Sequence, residues 1–550
     1  MSPEARAAAA FVGMLVLTPL LGGCGGATEP TYTGPIGGES GKELAEIQVL
    51  RRGNGAEPQT LDPHRGEGVP SANLHRDLFE GLTIEAPDGR VIPGVAESWE
   101  VSEDGTVYMF RLRRNAKWSN GEPVTAHDFE FGFRRSVDPM TLSNYSSILE
   151  PIVNATEVIR GEKPPEELGV EAVDDYTFVI RLNGPTPYLP GLLNHSTTYP
   201  VNRKNIEEFG SKFIRGGNLV SNGAYQLVEW IPQSYIQLVR NEHYWDNDNT
   251  TIDTVYYYPT ENQDSELKRF RAGELDITED IPQKQIAWVR ENFPDSVRID
   301  PYLGSYYFGF NVTKPPFKDR PKLRKALAMA IDRKIIAEQV AGAGELPSYG
   351  WVPPVTGYEQ RQAEWADWTQ EEREEEARRL YAEAGFSADN PFKVDLMYNT
   401  NENHKRISVA VAAMWKQVLG VETTLTNQEW KVFLDTRNRQ EITQVFRGGW
   451  IGDYNDPFTF TQLMYSTNEM NHPGYASEEY DELVRRAAAE GDLDKRAKIL
   501  ADAESLLLED MPIIPVYFYV STHLVRPWVG GREPNIMDHH YTKNLYILKH

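Results

Sequence analysis

One thiol, eleven imidazoles and a short run that sets opposite charges among glycines are the groups in this 550-residue chain that could do chemistry. The histidines form no metal or catalytic pattern. Only His539 and His540 are close in sequence, and adjacent residues do not share a helix face as an i, i+4 pair does. The motifs H-E-x-x-H and G-x-S-x-G do not occur, and Gly41-Lys42 lacks the upstream glycine and following hydroxyl of a phosphate-cradling P-loop. Asp246-Asn247-Asp248-Asn249-Thr250 starts like a calcium loop, but its twelfth position falls on Tyr257, which has no carboxylate. It reads as an Asn/Asp-rich turn. The expectation is a chain with no catalytic residues, no metal and no cofactor, whose business is binding.

The best candidate for binding is Arg447-Gly448-Gly449-Trp450-Ile451-Gly452-Asp453. Glycines at 448, 449 and 452 permit close approach of another backbone, as in strand addition, and Trp450 supplies a flat wall. Taken alone, the run also reads as a glycine-rich edge strand with a packing tryptophan.

Folded elements must hold that run. Tyr108-Met109-Phe110-Arg111-Leu112 and Tyr225-Gln226-Leu227-Val228 read as strands. Helices are predicted over 321–340, where Leu323, Ala326, Leu327, Ala330 and Ile331 recur at helical spacing, and over 369–384, where Ala377, Leu380, Tyr381 and Ala384 oppose a Glu/Arg face. Asn120-Gly121 and Asn222-Gly223 mark turns beside strands. The class is mixed α/β. The length leaves room for two or three domains. A single cysteine allows no disulfide within the chain, so the cores must hold by burial of 27 Tyr, 21 Phe and 12 Trp among other apolar residues. A net charge of −25 argues against a nucleic-acid partner and reads mainly as a solvated acidic surface.

The thiol fixes the compartment. Cys24 closes Leu21-Gly22-Gly23-Cys24 after Arg6 and an apolar stretch of about 15 residues, the plan of a secretory signal. That stretch is shorter than the roughly 20 residues needed to span a bilayer. Two glycines before the cysteine resemble a bacterial lipobox, in which the sulfur is acylated and the preceding peptide removed; an ordinary cleaved signal with an incidental cysteine is the other reading. Residues 25–45 are small, polar and glycine-rich, a flexible tether. No second long apolar segment follows, so the body is expected to be soluble.

Longer stretches carry a family resemblance. Leu78-Phe79-Glu80-Gly81-Leu82, Pro93-Gly94-Val95-Ala96-Glu97-Ser98-Trp99, Ala116-Lys117-Trp118-Ser119-Asn120-Gly121-Glu122-Pro123, Asn222-Gly223-Ala224-Tyr225, Asp300-Pro301-Tyr302-Leu303, Asn427-Gln428-Glu429-Trp430, the 447–454 run and Pro527-Trp528-Val529-Gly530-Gly531 together resemble the solute-binding proteins of oligopeptide ABC transporters, colinearly from residue 46 onward. The resemblance implies a two-lobed periplasmic-binding-protein-like α/β fold of class II type with an added third domain. It divides the chain into a signal (1–23), a lipid-anchor linker (24–45), a discontinuous lobe I (46–79, 205–303 and 521–550), an added domain II (80–204) and lobe III (304–520).

It also implies roles one residue at a time. Asp453 matches the carboxylate that pairs with a peptide ammonium. Glu67 and Val69 match the cleft rim, and Tyr145 and Tyr519 match tyrosines that close over the peptide. Arg437, Arg447 and His404 match cations that meet peptide carboxylates, and Trp430 and Trp450 frame side-chain pockets, with Gly449 and Ile451 contributing backbone. Gly309 stands where the family pattern has a glutamate in a side-chain pocket, which puts preference for basic side chains there in doubt. Ile451 replaces a cysteine with little expected effect. The function implied is a monomeric envelope or periplasmic lipoprotein, anchored at Cys24, that passes short peptides to a permease. The alternatives are a receptor for a murein peptide, dipeptide or signalling peptide, a secreted hydrolase, and a peptide-holding chaperone.

Overall fold

Alternating apolar and polar residues build three principal sheets. The computed structural model describes residues 43–550 apart from 356, 442 and 443, and these belong to one compact unit. Cys24, the apolar run before it and the tether up to residue 42 lie outside the described residues. One sheet orders Val49–Gly53, Thr254–Tyr258, Tyr235–Arg240 and Tyr225–Ile231, its first pair parallel and the rest antiparallel. A second, antiparallel throughout, orders Ala96–Val101, Val107–Leu112, Thr177–Arg181 and Val170–Asp174. Tyr108, Phe110 and Leu112 face its core, which the helix Ala126–Val137 covers by setting Phe129 and Phe133 against Phe178. Thr125 and Asp128 close a capping box at the start of that helix.

The third sheet positions most of the site. Its six strands run in the order Leu346–Pro347, Ile513–Leu524, Val297–Phe310, Val445–Ile451, Lys393–Asn399, Glu422–Gln428. Val297–Phe310 and Ile513–Leu524 pair antiparallel from Val297↔Leu524 to Gly309↔Ile513. One end of the pair packs Leu524, Val297 and Ile299 among Tyr258, Leu267 and Phe270. The other end packs Tyr306, Phe308 and Tyr517 among Leu327, Leu396 and Trp415. A register shift between Pro301 and Ser305 separates the two ends. Two strands that leave one core and enter another across an irregularity connect two lobes in the manner of a hinge. The boundaries expected at 303/304 and 520/521 fall within these strands.

Local expectations met different fates. The helix over 369–384 is present as Gln370–Glu383, capped by Thr369 and Glu372, with Ala377, Leu380 and Tyr381 buried. The helix predicted over 321–340 is broken: Pro321–Met329 ends, Asp332 caps a short turn, and a π-helix runs from Ile336 to Ala341. The break is stabilised by Arg333, whose buried guanidinium donates to the Ala328 carbonyl in the last turn of the first helix (2.9 Å) and to the Ile331 carbonyl just beyond its end (3.2 Å). Asn222-Gly223 is no hairpin turn. Asn222 clasps the Glu80 backbone at 3.1 and 2.8 Å, and a side chain at Gly223 would strike the Asp77 carbonyl. The Asn/Asp-rich segment is a single 3-10 turn, Asn247–Asn249.

Candidate functional site

A cavity of about 370 Å³ lies where the long strands, the loop before the helix Val69–Leu78, and the helix Trp430–Asn438 meet. That volume falls in the range of about 300–1,000 Å³ common for small-ligand sites. All twelve binding residues named from the sequence line it: Glu67, Val69, Tyr145, His404, Trp430, Arg437, Arg447, Gly449, Trp450, Ile451, Asp453 and Tyr519.

Asp453 follows the strand Val445–Ile451, and its side chain is 10% exposed. Its backbone N–H donates to the Thr459 hydroxyl at 3.1 Å, and that hydroxyl lies 3.5 Å from Oδ2. The nearest basic group is His195, whose Nε2 stands 3.7 Å from Oδ1, too far for a good hydrogen bond. His195 Nδ1 accepts from the Thr197 N–H, and burial pushes the ring down to about 3, so it is neutral. With no cation beside it, burial pushes the Asp453 carboxyl up to about 8. Tyr145 stacks between His195 and Trp450, at 4.7 and 6.2 Å between ring centres.

Arg447 is the opposite case. It is 9% exposed, donates to the Tyr519 hydroxyl and to Asn399 Oδ1 (3.4 Å), and lies over the Tyr306 ring at 4.9 Å. No carboxylate pairs with it among the described residues. The same cavity thus holds a buried carboxyl, kept largely protonated by its burial, and a buried guanidinium, neither with a counter-ion.

The other two expected cations differ. Arg437 is already paired: its guanidinium donates to Glu67, which also accepts from Asn438 Nδ2 at 2.8 Å and Asn144 Nδ2 at 3.5 Å. Two distant stretches of chain therefore converge on the carboxylate of a third, Glu67, which is 3% exposed. His404, in the first turn of the helix Glu402–Leu419, is held well below its usual range by burial and then by Arg447, so it is neutral and its Nδ1 has no partner.

The glycines of the run leave no open side-chain space. Their side-chain space is filled by the protein's own groups: Tyr307 beside Gly448, the Tyr519 hydroxyl and Arg447 Nη2 beside Gly449, and Leu303 beside Gly452. Nor is the strand at a sheet edge, since it lies between Val297–Phe310 and Lys393–Asn399. The ladder to Lys393–Asn399, however, stops after Leu396↔Val445 and Met397↔Phe446. Residues 448–451 therefore keep one side without a strand partner. A Cβ at 449 would stand 2.6 Å from the Tyr519 hydroxyl and 2.8 Å from Arg447 Nη2. Gly449→Ala is expected to part that pair and to cost about 1–3 kcal/mol by overpacking. A thermal melt and a crystal structure of the variant check this; an unmoved pair at full stability would contradict it.

Sequence reasoning missed His195, Asn399, Thr459 and Tyr306. No local signal marks them, because each reaches the site from a segment whose own pattern is ordinary turn, strand or helix. Gly309 does not line the cavity: the Phe446 ring, its partner across the ladder, occupies the space of its side chain.

Comparison with known proteins places this geometry. Residues 90–472 match the bacterial extracellular solute-binding proteins, family 5 Middle. The periplasmic oligopeptide-binding protein OppA of Salmonella typhimurium is 46% identical over 518 residues, which is 93% of this chain and 94% of that protein. The crystal structure of Haemophilus influenzae OppA in complex with RPPGFSPFR is 40% identical, covers 92% of this chain and 100% of that one, and superposes with a TM-score of 0.89. The unliganded open form of the murein tripeptide-binding protein MppA, 39% identical over 92% of this chain and 99% of its own, reaches only 0.66. At nearly equal identity and coverage, this chain superposes less well on that open form than on the peptide complex. The chain belongs to family 5 of the bacterial extracellular solute-binding proteins.

Proposed function

We propose that the protein captures short oligopeptides between its lobes and delivers them to the permease of an ABC transporter, with no chemistry of its own. The observation that carries this reading is that one cavity buries the Asp453 carboxyl and the Arg447 guanidinium, each lacking a counter-ion. A zwitterionic peptide brings an ammonium to the first and a carboxylate to the second, and its main chain suits the unpaired side of 448–451. Val69, Tyr145, Trp430, Trp450, Ile451 and Tyr519 act as walls, His404 as a neutral hydrogen-bond partner, and Glu67 with Arg437 as a clasp on the closed state. Lobe I is 46–79 with 205–303 and 521–550, domain II is 80–204, and lobe III is 304–520. Acylated Cys24, with the linker behind it, holds a monomer at the membrane in the periplasm or cell envelope. Incubation with a defined peptide, read by mass spectrometry, tests the class: intact stoichiometric uptake is expected, and cleavage would indicate a hydrolase instead.

Closure should also depend on pH. The closed, empty cavity holds Asp453 at about 8, against about 3.9 for a solvated carboxyl. A group with the higher value in the closed state favours closure below its open-state value and loses that contribution as pH rises through its closed-state value. Small-angle scattering of the unliganded protein is expected to show opening as pH rises from about 4 to about 8, more steeply than in Asp453→Asn. Equal slopes would remove the carboxylate from the account.

A further inference from the structure

A second group of charges lines the same cavity and has no part in the contacts above. Glu266 lies on the helix Gln263–Arg271, and Glu279 and Asp280 follow Ile277. Backbone and neutral donors hold the three in place. The Glu279 N–H donates to Glu266 Oε1 at 3.0 Å, and Asn73 Nδ2 donates to Glu279 at 3.3 Å. Asp280 accepts from the Ile281 N–H at 2.8 Å, from the Thr522 hydroxyl and from the Gln263 amide. None of the three makes an ion pair among the described residues.

Glu266 is the informative member. It is 1% exposed, yet its Oε2 has no hydrogen-bond partner. A buried carboxylate oxygen left without a donor is costly unless something else supplies one. Burial, and then repulsion from its neighbours, pushes Glu266 up to about 8; burial likewise raises Glu279 to about 7 and Asp280 to about 6. The positive groups nearby have other partners: Arg76, which also lines the cavity, donates to Asn73 Oδ1 at 2.8 Å. Arg52 donates to the His540 carbonyl (3.2 Å) and the Thr542 hydroxyl (3.5 Å) while lying over the Tyr257 ring, and His523 pairs with Asp538 at 2.8 Å.

This wall is short of positive charge and short of a donor. Among the described residues no three His, Cys, Asp or Glu side chains are grouped to hold a metal ion, and the N–H donor that Glu266 Oε2 lacks is one that an organic cation carries. Resting on the peptide-binding reading above, we infer that Glu266, Glu279 and Asp280 form a subsite that takes the cationic side chain of a bound peptide, lysine or arginine. An ammonium or guanidinium offers three or five N–H donors and no acceptor, which suits an unpartnered carboxylate oxygen beside two further carboxylates. A preference for basic side chains, placed in doubt at Gly309, is thereby assigned to a different wall.

Calorimetry with trialanine and with three tripeptides carrying lysine at each position in turn, each set against its norleucine isostere, tests this. Norleucine keeps most of the alkyl chain and removes the charge. At one position lysine is expected to bind at least about tenfold tighter than norleucine, the scale of a desolvated charge pair. That ratio is expected to fall to about one in Glu279→Gln/Asp280→Asn and to shrink in Glu266→Gln, with trialanine as the reference in each protein. Equal binding of lysine and norleucine at all three positions of the wild-type protein overturns the subsite without any variant having to fold. A lysine advantage that survives in both variants overturns it too. Trialanine bound without a lysine advantage removes the subsite alone; no binding of any tripeptide removes the parent reading with it.

Discussion

Asp453→Ala is expected to weaken binding of short peptides by about 2–5 kcal/mol, the effect of truncating one partner of a buried charge pair. That corresponds to roughly 30-fold to several-thousand-fold in Kd. The reason lies in the cavity, where the carboxyl faces a neutral imidazole and the Thr459 hydroxyl, with no cation beside it, and burial pushes it up to about 8. An arriving ammonium removes that penalty, and an acetylated amine does not. N-acetylation of the peptide should therefore cost the wild-type protein about as much as the substitution does, and should cost Asp453→Ala little. The two losses should fail to add, because each removes the same interaction. Calorimetry on the four combinations checks this; additive losses would mean that the carboxylate and the peptide amine do not meet.

The second large effect is expected at Glu67. Glu67→Gln keeps the shape of the side chain but leaves the Arg437 guanidinium buried without its partner when the lobes close. Breaking a buried pair in this way costs about 3–5 kcal/mol. Because Glu67 belongs to the proposed lobe I and Arg437 to the proposed lobe III, the cost is expected to fall on the closed state and not on either lobe alone. Affinity should fall for every peptide alike, free or acetylated, and the loss should add to that of Asp453→Ala. Small-angle scattering of the variant at saturating peptide should show a larger open fraction than the wild type. Unchanged affinity would remove the clasp. A loss that disappears when the peptide carboxylate is amidated would show instead that Arg437 meets the ligand.

The walls of the cavity were legible in the sequence because the 447–453 run concentrates charge, glycine and tryptophan within seven residues, and because family resemblance brought the remaining positions with it. Pairing was not legible. Nothing near Glu67 shows that its partner is Arg437, since that ion pair exists only once distant segments are packed together. Nothing near His404 shows that burial beside Arg447 keeps it neutral. The break in the predicted 321–340 helix depends on Arg333 turning inward to carbonyls that apolar periodicity does not register. Nor was the packing of the glycines legible: the space of the side chains that 448 and 449 lack is taken by Tyr307, Tyr519 and Arg447. Local pattern reports which residues face a core; which charges end up alone inside it depends on the assembled fold.

The most direct measurement is a crystal structure of the protein with a bound tripeptide. The account predicts density with the peptide ammonium within about 2.7–3.2 Å of the Asp453 carboxylate and the main chain running along 448–451. A ligand lying in the reverse direction, with its carboxylate at that end, or seated away from Asp453, would contradict it.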